Sequence, residues 1–244
     1  AYAYASFEER ILSSLYFVES IVDYTVQNGE AIRSIISQAE DRSIAGLEQG
    51  LRFEPQRNAD ASPLLMGAVE ERRNPYSGAI YFARTDSTHI QYMPEYGAFR
   101  AVEYSTIPFA YVIAPEASGT VADLLQRHGI RFSRMGTGSS QFVETFRIDS
   151  TSTAERAFQG VQERRVWGEW VQHDVIPAEG SLFVPTQHNK ARLIFYLLEP
   201  RSDDGLVNWA LLEDWMVPGG EYPIYRLPQQ PVPIPEQPAS DYDY

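Results

Sequence analysis

The chain has 244 residues, 43% hydrophobic and 22% charged, which is the composition of an ordinary folded protein with material for a substantial core. A formal charge of −13 argues against nucleic acid as a partner, because phosphate binding needs clustered Lys and Arg. No apolar run nears the ~20 residues of a membrane-spanning helix, and the absence of cysteine rules out disulfides, thiolate metal sites and cysteine nucleophiles while leaving the compartment undecided.

The chain opens AYAYASFEER, without an initiator Met and without the basic and apolar regions of a signal peptide. Ser6 with Glu9 three residues on reads as a capping box that starts a helix. Phe7, Ile11, Leu15, Val18 and Val22 follow at helical spacing, widened by Leu12 and Ile21. Asn28-Gly29 is expected to break this helix, and a second one, carrying Ile32, Ile35, Ile36 and Ala39 on one face, is expected from Glu30 to about Gly46. The apolar faces of such a pair need a partner, expected to be a domain upstream, with the rest of this chain as the alternative.

Residues 50–77 are polar and rich in Arg, Asn, Asp and Pro, and the stretch 47–77 reads as a linker or irregular connection. Short strands are expected next, at 79–83, 99–104 and the continuous apolar run 109–113. Thr120 and Asp123 read as a second capping box, starting a short helix with Val121, Leu124 and Leu125 inward and His128-Gly129 as its stop. With a strand at 130–132 this makes a strand–helix–strand unit, for which a parallel crossover is the default. Phe142, Phe146 and Ile148 alternate as in a half-buried strand, and 166–167, 182–184 and 224–225 are further strand candidates. Leu193, Ile194, Leu197 and Leu198 have the spacing of a short buried helix over 191–198. The fold class is therefore α+β: an N-terminal amphipathic helix pair (1–46), a connection (47–77), a mixed, strand-rich domain (78–228) and a Pro-rich, extended tail (229–244).

The candidates for chemistry each have a plainer reading. His173 beside Asp174 could be a general-base pair, but an exposed loop pair is preferred. Asp203-Asp204 with Glu199 invites a carboxylate-pair or calcium site, yet Asp and Gly are what a turn and a helix N-cap demand. Gly136-Thr137-Gly138 lacks the third glycine of a dinucleotide loop and reads as a flexible turn. Ser139-Ser140 lacks the flanking glycines of a nucleophile elbow. Trp167, Trp170, Trp209 and Trp215 could form a sugar-stacking platform, though aromatic residues at strand positions are more often core. No catalytic, cofactor or metal residue is assigned.

One run stands out, FYLLEPRSDDGLVNW over 195–209, in which an apolar segment stops at Pro200, turns through Ser202-Asp203-Asp204-Gly205 and becomes apolar again at Leu206. It resembles the C-terminal region of large bacterial zinc carboxypeptidase-like metallopeptidases of the carboxypeptidase A-like family. The passages AYVIAPEASGTVADLLQRHGI, ERAFQG with ERRVWG, SLFVPTQHNKARLI and EYPIYRLP extend the resemblance, and FEERILSSLYFVESIVDY resembles the helix that follows the peptidase domain. Val161 departs from it, standing where such proteins commonly have a His. The resemblance implies a zinc-holding catalytic domain upstream, an extracytoplasmic location (periplasmic or secreted), and an accessory role for this chain. The family's His-x-x-Glu motif is not met: three residues after His89, His128, His173 and His188 stand Tyr92, Arg131, Ile176 and Ala191. No zinc or catalytic position is therefore carried over.

The reading is a non-catalytic accessory portion of a metallocarboxypeptidase-like protein, with the upstream domain as partner and zinc expected there. The alternative is a binding or self-assembly module that contacts protein or glycan through aromatic surface. An autonomous hydrolase using Asp203, Asp204 or His173 is the third and weakest reading.

Overall fold

A computed structural model of the chain describes residues 5–229, apart from 59, 137 and 188. The expectations for the Pro-rich tail beyond 229, for Thr137 and for His188 lie outside the described residues. The chain runs α1 (Phe7–Glu40), β1 (Glu48–Gln56), β2 (Ser62–Arg73), β3 (Ile80–Met93), β4 (Ala98–Thr106), β5 (Ala110–Ile113), α2 (Pro115–Arg127), β6 (Ser133–Arg134), β7 (Gln141–Thr153), β8 (Arg164–Val175), β9 (Leu182–Pro185), α3 (Ala191–Leu198), a 3-10 turn at Glu213–Trp215, and β10 (Ile224–Leu227). The fold is α+β, as expected. It divides into two units, Ala1–Ser37 with Pro55–Arg100, and Gln38–Glu54 with Ala101–Tyr244.

The first unit holds most of α1 and the β2–β3 hairpin. The capping box is formed as the sequence predicts: the Ser6 amide donates to Glu9 Oε2 at 2.7 Å and the Glu9 amide to Ser6 Oγ at 3.2 Å. These bonds, the backbone one first, hold the Glu9 carboxyl below its ordinary range. The expected helix pair is instead one helix of 34 residues. Gly29 is tolerated because an interior glycine costs only about 1 kcal/mol, and Asn28 Nδ2 donates back to the Tyr24 carbonyl at 2.9 Å rather than opening the turn. No residue of α1 is buried. The expected connection over 47–77 is also overturned, since β1 and β2 occupy most of it. β2 and β3 pair antiparallel from Ser62↔Met93 to Arg73↔Ile80, with an irregularity between Gly67 and Val69.

The second unit is built on a six-stranded sheet of order β6-β9-β5-β10-β7-β8, every pairing antiparallel. β5 is buried along its whole length because both faces are covered. Tyr111 and Ile113 pack with α2, α3 and the 206–212 segment in the main core, while Ala110 and Val112 join Met135, Val143 and Leu227 on the opposite face. α2 begins six residues earlier than predicted, with Ala114 rather than Thr120 as its N-cap, because Pro115 at its first turn has a preset φ and no amide to satisfy. Thr120 therefore lies inside the helix and the second capping box is not formed. His128 does end α2, followed by Gly129 at φ +59°, as predicted. The strand expected at 130–132 is displaced to β6. It runs parallel to β5, but β9 lies between them. β7 buries Phe146 and Ile148 as predicted, while Phe142 at its start is exposed.

Candidate functional site

The 195–209 run earns each of its residues. α3 splits its apolar face: Ile194 and Leu198 enter the main core, while Ala191 and Phe195 pack with Ile44, Leu51 and Ile107. The short buried helix predicted here is present. Glu199 caps α3 at 1% exposure, which an unpaired carboxylate would not tolerate. Tyr111 donates its hydroxyl to Glu199 Oε1 at 2.6 Å, and Arg226 Nε donates to the same oxygen at 2.7 Å. Arg226 Nη2 bonds Glu199 Oε2 and donates to Ser105 Oγ at 2.6 Å. The guanidinium lies 3.8 Å from the Trp170 ring centroid, and Glu144 stands 3.6 Å from Nη1. Burial opposes the charge on Arg226, but Glu199 more than offsets it and the pKa rises above its ordinary value. Burial, then Glu199, pushes the Tyr111 phenol well above the usual tyrosine range. A cavity of about 230 Å³ opens beside this group, between Leu51, Ser105, Trp170, Arg201 and Arg226.

The turn that follows is tied down residue by residue. Arg201 forms a two-pronged ion pair with Glu103 at 2.5 and 2.7 Å. Asp203 accepts the Phe53 amide at 2.9 Å on one oxygen and the Tyr196 hydroxyl on the other. Burial first, then this bond to Asp203, raises the Tyr196 pKa. Gly205 is required, because a Cβ there would stand 2.7 Å from the Tyr196 carbonyl oxygen. Leu206 and Val207 are buried, Asn208 Nδ2 donates to Glu163 Oε1 at 2.8 Å, and the Trp209 indole donates to Asp204 Oδ1 at 2.5 Å. Phe158, Val161, Glu163, Asp203, Asp204, Asn208 and Trp209 line a cavity of about 190 Å³.

The structure therefore brings Asp203 and Asp204 to one cavity and sends Glu199 to the other. The N-cap reading of these aspartates is overturned: 203–212 form turns, not a helix. His173 lies within β8, opposite Val143, rather than in a loop. Its Nε2 is 3.4 Å from Thr145 Oγ1. His89 is on β3 and His128 ends α2. The tryptophans do not make a platform: Trp167 and Trp170 are three residues apart on β8 and so face opposite ways, Trp215 packs against the main core, and Trp209 alone lines the aspartate cavity. Among the described residues no three His, Asp or Glu side chains converge as a metal site would require, so these residues do not fit a catalytic zinc. Sequence reasoning missed Glu163, Glu103 and Arg226, whose partners lie 45, 98 and 27 residues away along the chain. No local signal marks such pairs.

No protein-family model matches the chain, and no solved structure matches it. Over 229 residues, 91% of the chain, it is 27% identical to a protein named Carboxypeptidase 2 from Trichophyton equinum. The proteins of that name from Trichophyton tonsurans and Trichophyton rubrum are 26% and 25% identical over the same length. The matched region spans 38% of the length of each of these relatives. The similarity supports a carboxypeptidase-like relationship.

Proposed function

We propose that this chain is the non-catalytic C-terminal accessory portion of a zinc metallocarboxypeptidase-like protein, whose helix α1 packs on the catalytic domain encoded upstream. The zinc belongs to that domain in this reading, and the protein works outside the cytoplasm. The observation that carries it is the surface of α1. Thirteen large apolar residues between Phe7 and Ile36 are 37–77% exposed. Phe17, Tyr16 and Tyr24 lie off the Ile11–Leu15–Val18–Val22 stripe, so apolar side chains extend beyond one face of the first half of the helix, between charged residues such as Glu19 and Asp23. The apolar stripe of an amphipathic helix packs on a partner surface, and isolated domains rarely expose apolar patches beyond a few hundred Å². The similarity to part of three proteins named Carboxypeptidase 2 supports the same reading.

The test compares this chain with a polypeptide extended through the upstream coding region. Amide exchange within α1 is expected to slow at least tenfold in the longer protein, and its thermal midpoint to rise. Equal exchange in the two proteins counts against the proposal.

A further inference from the structure

We propose that Arg10 anchors the docking face of α1, and that the upstream domain meets it with an Asp or Glu carboxylate set in an apolar surface. The inference deepens the accessory role and rests on that reading, which gives α1 a partner without naming the partner's chemistry. An unmet donor carries it. Arg10 Nε is shielded from solvent yet has no hydrogen-bond partner, and no other side-chain nitrogen or oxygen is so placed among the described residues that are not exposed. A donor kept from water without an acceptor is destabilising. The rest of the guanidinium forms no hydrogen bond or ion pair among the described residues and lies 5.9 Å from the Phe7 ring centroid.

The helix itself supplies no carboxylate. Ion-pair partners on a helix stand three or four residues apart, and those places around Arg10 hold Ser6, Phe7, Ser13 and Ser14. Ser14 turns its hydroxyl back to the Arg10 carbonyl at 2.9 Å. Glu9 is engaged elsewhere, by the Ser6 amide at 2.7 Å and by Arg84 at 3.4 Å. Around the charge the surface is apolar. Phe7, Ile11 and Leu15 are exposed, and Phe7, Arg10, Ile11 and Ser14 line a shallow hollow of about 380 Å³. Covering that face with apolar groups alone would strand the guanidinium in a poor solvent. Charge complementarity therefore selects the occupant: an apolar patch carrying a carboxylate, the group that a guanidinium grips through two parallel bonds. Arginine and aromatic residues are also where the energy of protein interfaces concentrates. Well over half of each Carboxypeptidase 2 relative lies outside the matched region, so those proteins have ample further chain to supply such a patch.

The experiment measures amide exchange within α1 for Arg10 variants, in this chain and in the polypeptide extended through the upstream coding region. In the longer protein Arg10→Met removes the charge and leaves the facing carboxylate unpaired, so exchange should quicken by about tenfold or more. Arg10→Gln keeps N–H donors without the charge and should quicken it as much, whereas Arg10→Lys keeps the charge and should lose less. Should the Met variant fail to fold, the Gln variant carries the test. In this chain by itself, where Arg10 has no acceptor, none of the three should alter exchange. Arg33, the other cation of α1, has Glu30 three residues before it, and Arg33→Met is expected to be silent in both proteins. Unchanged exchange in the longer variants, equal quickening in this chain by itself, or an equal effect from Arg33→Met overturns the proposal while the accessory reading stands. Protection kept by Arg10→Gln overturns it too, because carbonyl oxygens would then be the acceptors. If the parent α1 gains no protection from the upstream region, both fail, which tells the two failures apart.

Discussion

Glu199 and Arg201 show how burial alone decides what an ion pair contributes. Both are bonded through two oxygens or two nitrogens to their partners. Glu199 and Arg226 are 1% and 7% exposed, whereas Arg201 and Glu103 keep about a quarter of their surface. Breaking a buried pair strands a charge in a poor solvent, so Glu199→Ala is expected to destabilise the fold by about 3–5 kcal/mol. Glu103→Ala, at the half-open pair, should cost about 1 kcal/mol or less. Urea unfolding of the two variants checks both, and equal losses would contradict the assignment of Glu199 as the buried anchor. The sequence offered Glu199 only as a possible member of a carboxylate pair. Its structural task depends on Tyr111 and Arg226, which a reading of neighbours could not supply. By contrast the turn itself was legible, because Pro200, Asp203, Asp204 and Gly205 are turn residues by their local chemistry, although what requires glycine at 205 is the Tyr196 carbonyl.

Among the elements, β5, β7, β8, β9 and β10 appear where their apolar runs placed them, whereas β2 was missed and two local signals, the Thr120–Asp123 box and the Asn28-Gly29 break, misled. The Ser6–Glu9 box and the buried pattern of α3 are short-range facts, and both are present. β2 was hidden in a polar stretch: its partner β3 pairs with it along most of its length, and that pairing rather than its composition makes it a strand. The Asn28-Gly29 signal misled because a glycine weakens a helix without ending it. Gly29 has nothing within 4 Å of where its Cβ would lie, and it sits within a continuous helix. Gly29→Ala is therefore expected to strengthen α1 by about 1 kcal/mol. Far-ultraviolet circular dichroism and slower amide exchange around residue 29 would register it. A loss of helicity would mean that this position is a break after all.

At the scale of the whole molecule, charge and buried phenols act in the same direction. The chain carries a formal charge of −13 at neutral pH, so each further deprotonation adds to self-repulsion. Tyr111 and Tyr222 are fully buried in the core of the second unit, and burial, followed by the nearby Glu199 carboxylate, holds both phenols well above their ordinary range. Below about pH 10 the folded and unfolded chains both keep these protons, and the phenols do not make stability depend on pH. Above it the unfolded chain releases them while the folded chain retains them, so stability falls as pH rises by about 1.4 kcal/mol per unit for each phenol. Tyr222→Phe separates this effect from general repulsion. The variant loses the bond from the Tyr222 hydroxyl to the Leu198 carbonyl at 3.0 Å, so it starts about 1 kcal/mol less stable at neutral pH. Between pH 10 and 11.5 its stability should then fall less steeply than that of the parent, by one proton's worth of slope. Parallel curves in urea titrations across that window would show that Tyr222 ionises freely in the fold, and the packed core drawn around β5 and β10 would have to be looser than the structure has it.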